Sequence, residues 1–188
     1  MVFDAGETLV DETGLWQRAA DRAGVPRFTL MATLGGLIAR GEGHNRVWEL
    51  LGVEKPASMF DLGDFYPDAL PCLAEVRSHG LRVGVVGNTP ESFEAMIRRH
   101  ADFVGSSERW GVEKPASGFF ERIIEDAGCA PAEIAYIGDR VDNDVLPALR
   151  AGMVAVHLRR GPWGYLHEPP VEALRASSLA DLPEVLGV

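Results

Sequence analysis

The feature that most constrains this chain is the order of its segments between residues 67 and 158. Short apolar runs rich in β-branched residues alternate there with longer amphipathic ones. The runs Leu81–Gly87 (LRVGVVG), Glu133–Gly138 (EIAYIG) and Met153–Leu158 (MVAVHL) read as strands. Met1–Phe3 and Asp102–Gly105 are weaker runs of the same kind. Pro67–His79 carries Leu70, Leu73, Ala74 and Val76 at helical spacing, and Gly80 stops it. Ser92–His100, Ser117–Ala127 and Asp144–Ala151 predict three further helices, the last two closed by Gly128 and Gly152. Strands separated by helices run parallel, joined by right-handed crossovers. The expected fold is therefore α/β, a doubly wound three-layer parallel sheet. Beyond the fifth strand the sequence predicts a loop over Arg159–Pro170 and a weakly structured tail.

Residues 14–64 break the alternation. They hold helical segments around Leu15–Ala23, Phe28–Arg40 and His44–Leu51, and no good strand. The expected organisation is a core of residues 1–13 and 65–188 with a helical insertion of residues 14–64, and Pro67 marks the return to the core. The heptapeptide GVEKPAS occurs at Gly52–Ser58 and again at Gly111–Ser117, with no similarity outside it, so this is no repeat architecture. Only three residues precede Asp4, which makes a short first strand. The expectation is a natural start further upstream.

Composition narrows the partners. The 28 acidic and 18 basic side chains give a formal net charge of -10. Duplex nucleic acid is repelled by that average charge, and the basic residues cluster only as doublets such as Arg98–Arg99 and Arg159–Arg160. The longest mostly apolar run, Phe28–Ala39, falls short of the roughly 20 residues that a membrane span needs. Cys72 and Cys129 have no metal-type spacing and read as reduced thiols, so a cytoplasmic protein without a signal peptide is expected. The only lysines are Lys55 and Lys114.

In open parallel sheets ligands bind at the carboxyl ends of the strands. The first strand runs into Asp4-Ala5-Gly6-Glu7-Thr8, the second into Gly87-Asn88-Thr89, and the fourth into Gly138-Asp139, with Asp142, Asn143 and Asp144 close behind. Carboxylates from separate strand ends converge on one crevice, where they repel each other unless a cation lies between them. Their oxygens are the ligands that Mg2+ prefers.

These stretches resemble the four motifs of the haloacid dehalogenase-like (HAD) hydrolases. VFDAGETLVD is similar to the family's strand followed by Asp-x-Asp-x-Thr. VGVVGNT stands where that family has a strand ending in Ser or Thr, GVEKPASGFF where it has a lysine before a helix, and IGDRVDND where it has Gly-Asp and a further acid. The resemblance implies a Rossmann-like core with a small helical cap that selects a small, phosphorylated substrate, and Mg2+ as cofactor. It implies that Asp4 is the nucleophile and forms an aspartyl-phosphate. The metal would be held by Asp4, the Gly6 carbonyl, Asp139 and Asp144. Lys114 would neutralise charge on the nucleophile and the phosphoryl oxygens. Thr8, Gly87 and Asn88 fall in the substrate-binding slots, with Thr8 ordering the loop and Asn88 offering its amide or its main-chain N–H.

Two positions depart from the pattern. The second Asp of the first motif, the family's general acid/base, is Gly6, which cannot protonate a leaving group. Glu7 is the adjacent carboxylate, but neighbouring residues point in different directions. The hydroxyl of the second motif is replaced by Gly87, and Thr89 stands in for it only if the loop turns early. Other readings remain open at this point: 2-haloacid dehalogenation, phosphonate cleavage with Lys55 as a Schiff-base lysine, or a degenerate HAD-fold binding module. In the insertion, Arg40, Glu42, His44, Asn45 and Arg46 read as a solvated turn. Trp16 and Trp48 read as core, Lys55 as surface, and Arg159 and Arg160 as surface charge at the crevice rim.

Overall fold

Six parallel strands form one sheet in the order β3-β2-β1-β4-β5-β6 in the computed structural model. It describes residues 1–57 and 60–187, so Ser58, the last residue of the first heptapeptide copy, lies outside the described residues. The strands are β1 (Val2–Asp4), β2 (Gly84–Gly87), β3 (Phe103–Ser106), β4 (Ala135–Gly138), β5 (Val154–Leu158) and β6 (Leu174–Ala176). β1 is central. Phe3 lies beside Val85 of β2 on one flank and Ile137 of β4 on the other. The chain builds outward from β1 to β3, then returns to the opposite flank for β4 to β6. Right-handed crossovers in two opposite directions place the connecting helices on both faces of the sheet.

The helices are α1 (Thr13–Ala23), α2 (Arg27–Ala39), α3 (Arg46–Leu50), α4 (Ala69–Ser78), α5 (Glu91–Ile97), α6 (Ser107–Trp110), α7 (Ser117–Ala127), α8 (Leu146–Arg150), α9 (Gly161–Leu166) and α10 (Leu182–Leu186). α7 has the bounds that its periodicity predicts, because Phe119, Phe120, Ile123 and Ala127 line one face. That face packs on Val2, Val86, Tyr136 and Ala155 of the strands. Complete burial of one such aromatic or aliphatic side chain contributes about 1.5–3 kcal/mol.

Several segments differ from the expectation, among them α6, a helix over Ser107–Trp110 that no periodicity announced. The tail is ordered: β6 pairs in parallel with β5, and α10 follows it. β6 is only Leu-Arg-Ala, too short to carry a period-two signal. The loop over Arg159–Pro170 contains α9, which starts at Gly161 with Pro162 in its first turn. The helix expected over Asp144–Ala151 begins instead as a π turn, Val141–Val145, and continues as α8.

The chain divides into two compact units, Met1–Val10 with Phe65–Val188, and Asp11–Asp64. The second unit is helical. Leu30, Leu34, Leu37 and Ile38 of α2 are buried, as are Ala19, Ala20, Val47 and Trp48. Trp16 stacks on Trp48 at 6.0 Å between ring centroids. Arg18 forks onto Asp64 at 3.1 and 2.5 Å, tying α1 to the end of the unit.

Candidate active site

The direction of strand order reverses at β1, which opens a crevice between the carboxyl ends of β1 and β4. Asp4 ends β1, and Asp139 follows directly on β4. Carboxylate oxygens of Asp4, Asp139 and Asp144 all lie within 4.8 Å of one another, and all three residues are buried. Lys114 joins them from the loop before α7. Its Nζ donates to Asp4 Oδ1 at 2.5 Å and to Asp144 Oδ1 at 2.6 Å. Four of the residues singled out in the sequence therefore meet at one point.

The π turn explains how Asp144 arrives there. Val145 N donates to Arg140 O at 3.1 Å, a wider turn than an α-helix makes, and Asp144 swings back over Gly138. A Cβ on Gly138 would stand 2.5 Å from Asp144 Cγ, so any side chain here would push Asp144 out of its place. Asp144 Oδ2 accepts from Arg140 N at 3.1 Å, and its Oδ1 also accepts from the Tyr136 hydroxyl at 3.0 Å. Burial and the surrounding carboxylates push the Tyr136 phenol well above its usual pKa, so it stays a donor.

The electrostatics are unbalanced. Burial, then the Asp144 charge, pushes the Asp4 carboxyl up from 3.8 to about 6, although Lys114 pulls it down. Asp139 is pushed well above the carboxylate range, first by burial and then by Asp144, Asp4 and Glu7. Burial opposes the Lys114 charge, but Asp144 and Asp4 outweigh it and raise its pKa. One ammonium ion thus faces three carboxylates. Asp139 Oδ2 is buried and has no hydrogen-bond partner. An all-oxygen donor set with an unsatisfied buried oxygen fits a hard divalent cation.

The loop after β1 is clamped from outside the site. Gly6 makes a bridge to Val10, and Glu7 N donates to Val10 O at 2.7 Å. Glu7 has φ 50°, the left-handed region that favours glycine. Its buried carboxylate accepts from the Tyr66 hydroxyl at 2.7 Å. It lies against Gly161, where a Cβ would stand 2.4 Å from Glu7 Oε2. Arg160 donates to Thr8 O at 3.0 Å, forks onto Asp68, and stacks 4.2 Å from the Tyr66 ring centroid. Arg160 is therefore a structural clamp and not the surface charge expected from the sequence. Its side chain is only 12% exposed, because Asp68 and Tyr66 enclose it. The Thr8 hydroxyl is buried without a partner.

At the end of β2, Asn88 reaches across to the main chain of Lys114. Its Nδ2 donates to Lys114 O at 3.0 Å, and Lys114 N donates to Asn88 Oδ1 at 2.8 Å. This two-point bridge holds the lysine where the carboxylates meet. Gly87 borders the Asp4 carboxylate: a Cβ on it would stand 3.4 Å from Asp4 Oδ1. In the helical unit Arg40 and Arg46 both pair with Glu42, and exposed Lys55 donates to Asn45 Oδ1 at 3.0 Å. Arg159 is exposed and lies 5.2 Å from the Tyr165 ring centroid.

A family model for haloacid dehalogenase-like hydrolases matches residues 1–152. The chain belongs to this family. It is similar to a glyceraldehyde 3-phosphate phosphatase of Methanopyrus kandleri, with 41% identity over 52% of this chain and 45% of that protein. It is also similar to a glyceraldehyde 3-phosphate phosphatase of Methanothermobacter thermautotrophicus, at 28% identity over 82% of each. The chain spans about half the length of the first two curated relatives that it matches. Among solved structures, the magnesium-bound HAD-hydrolase YfnB of Bacillus subtilis has the same fold, with a TM-score of 0.73 and 16% identity over 100% of this chain and 97% of that one. No helix among the described residues is long and apolar enough to cross a membrane.

Within this haloacid dehalogenase-like hydrolase, sequence reading missed Tyr136, Tyr66, Asp68 and Gly161. Tyr136 carried a signal, since a phenol in an otherwise apolar buried strand needs a polar partner. The others are brought together by pairings far apart in the chain, which no local pattern records.

Proposed function

We propose that the protein is a Mg2+-dependent phosphatase that moves the phosphoryl group of a small phosphate monoester onto Asp4. The observation that carries this reading is the Lys114 ammonium, 2.5 Å from Asp4 and 2.6 Å from Asp144, beside an Asp139 oxygen that no protein group satisfies. Asp4, the Gly6 carbonyl, Asp139 and Asp144 would hold the metal. When bound, Mg2+ supplies positive charge to the phosphoryl oxygens. The unit Asp11–Asp64 acts in this reading as the cap that selects the substrate. The relatives named for glyceraldehyde 3-phosphate, and others named for phosphoserine and phosphoglycolate, support a small phosphorylated metabolite.

Lys114 draws the phosphoryl group against Asp4. An ionised Asp4 oxygen attacks phosphorus, and the ester P–O bond breaks with its electron pair going to the leaving oxygen. Water then attacks the phosphorus of the aspartyl-phosphate, which restores the carboxylate and releases phosphate. Gly6 offers no proton to the leaving oxygen, and a missing acid/base typically costs about 10²–10⁴ in rate. Good leaving groups are therefore preferred. A 2-haloacid would need no cation and would leave the buried Asp139 Oδ2 without a partner, which disfavours dehalogenation.

The test is hydrolysis of p-nitrophenyl phosphate with and without Mg2+, by wild type and Asp4→Asn. Metal-dependent hydrolysis that the substitution abolishes is expected. Absence of hydrolysis in both proteins would point to a binding module, and halide release from a 2-haloacid in EDTA to a dehalogenase.

A further inference from the structure

We propose that Tyr136 is a positioning residue for the phosphoryl transfer: its hydroxyl holds Asp144, and through Asp144 it keeps the Lys114 ammonium against Asp4. The proposal rests on the phosphoryl-transfer reading above and adds to it a residue that stands just before the fourth motif.

The geometry starts in β4. Tyr136 and Gly138 are two residues apart there and share one face of the sheet, the face that Asp144 swings over. Tyr136 is 1% exposed, and its ring packs 5.4 Å from the Phe120 ring between centroids. Its hydroxyl donates to Asp144 Oδ1 at 3.0 Å, and the same oxygen accepts from Lys114 Nζ at 2.6 Å. Lys114 Nζ lies 5.9 Å from the Tyr136 ring centroid, so the ring also flanks the ammonium. Phenylalanine would pack equally well against Phe120, and a buried phenol is costly unless it is bonded. Packing therefore does not account for the hydroxyl, and its bond to Asp144 does.

The consequence lies in how one ammonium is shared. Lys114 Nζ bonds Asp4 Oδ1 and Asp144 Oδ1 at nearly equal distances, 2.5 and 2.6 Å. Asn88 fixes the lysine main chain, so only the side chain can shift between the two carboxylates. Forming the aspartyl-phosphate removes the negative charge of Asp4. Asp144 is then the carboxylate left in contact with the lysine, and it draws the ammonium away from the phosphoryl oxygens. A second donor on Asp144 Oδ1 weakens that pull, because it satisfies part of the charge from a fixed position. Tyr136 is that donor, anchored by the strand and by Phe120.

The test compares wild type with Tyr136→Phe, which removes the hydroxyl and keeps the ring, and with Phe120→Leu, which loosens the ring's packing and keeps the hydroxyl. The chain has only two lysines, so protein grown with nitrogen-labelled lysine gives two side-chain ammonium signals by NMR. Exposed Lys55 serves as the reference. In EDTA, Tyr136→Phe is expected to move the Lys114 signal and to leave the Lys55 signal in place. For p-nitrophenyl phosphate with saturating Mg2+, its kcat should fall by about tenfold, the value of one hydrogen bond to a charged acceptor, with KM within about threefold of wild type. Phe120→Leu should keep kcat within about threefold. An unmoved Lys114 signal in Tyr136→Phe overturns the assignment, as does a wild-type kcat in that variant or an equal fall of kcat in Tyr136→Phe and Phe120→Leu. A wild-type protein that hydrolyses no phosphate ester overturns the phosphoryl reading instead, and the Lys114 signal still decides whether Tyr136 acts on the lysine.

Discussion

Removing divalent cations should make the protein less stable as pH rises through the weakly acidic range. Asp4 moves from 3.8 to about 6 on folding, so its folded pKa is the higher one. Below pH 4 Asp4 is neutral in both states and adds no penalty. Above pH 6 the folded protein must hold an anion that burial and Asp144 disfavour. The penalty thus builds across that window and is complete near neutrality. A shift of about two units corresponds to about 3 kcal/mol. Asp139 adds to it in the same direction. In a chain of this size that loss lowers the melting temperature by roughly 6–12 °C. A cation requires the same carboxylates ionised, so its stabilisation grows over the same pH range, and at a hundred times Kd it contributes about 2.7 kcal/mol. The assay is thermal unfolding from pH 4.5 to 7.5 in EDTA and in excess Mg2+. The two curves should diverge as pH rises. Parallel curves, or a divergence that widens toward low pH, would refute the account of three underneutralised carboxylates.

Two further outcomes follow from close approaches in the site. Gly138→Ala drives a methyl group into Asp144, so Asp144 must move. Mg2+ should then no longer raise the melting temperature, while the fold persists by circular dichroism. Gly161→Ala meets the Glu7 carboxylate and adds a side chain at φ 63°, and should cost about 2–4 kcal/mol in urea unfolding. Replacing Glu7 by Gly in the same protein should recover about 1–3 kcal/mol of that, whereas strict additivity would show that the two residues do not meet.

How much of this was legible in the sequence depended on whether its signal was local. β2, β4 and β5 announce themselves through Val and Ile runs, and the strand-end rule alone sends Asp4 and Asp139 to one crevice. Asp144 was legible as an acid near that crevice, but its route was not. Apolar spacing cannot separate a π turn from an α turn over five residues. β6 was hidden by its brevity. Arg160 was misread because its meaning lies in Asp68, 92 residues away. Glu7 gave no sequence signal of its left-handed backbone, because a φ of 50° there follows from the loop geometry and not from any local pattern.

The central claim is covalent phosphoryl transfer to Asp4. Its most direct measurement is a rapid acid quench of the protein turning over radiolabelled p-nitrophenyl phosphate with Mg2+, followed by peptide mapping. The account predicts label on the peptide that contains Asp4, chasing to free phosphate when unlabelled substrate is added and absent from Asp4→Asn. Turnover of the substrate with no label on the protein, or label that survives in Asp4→Asn, would contradict it.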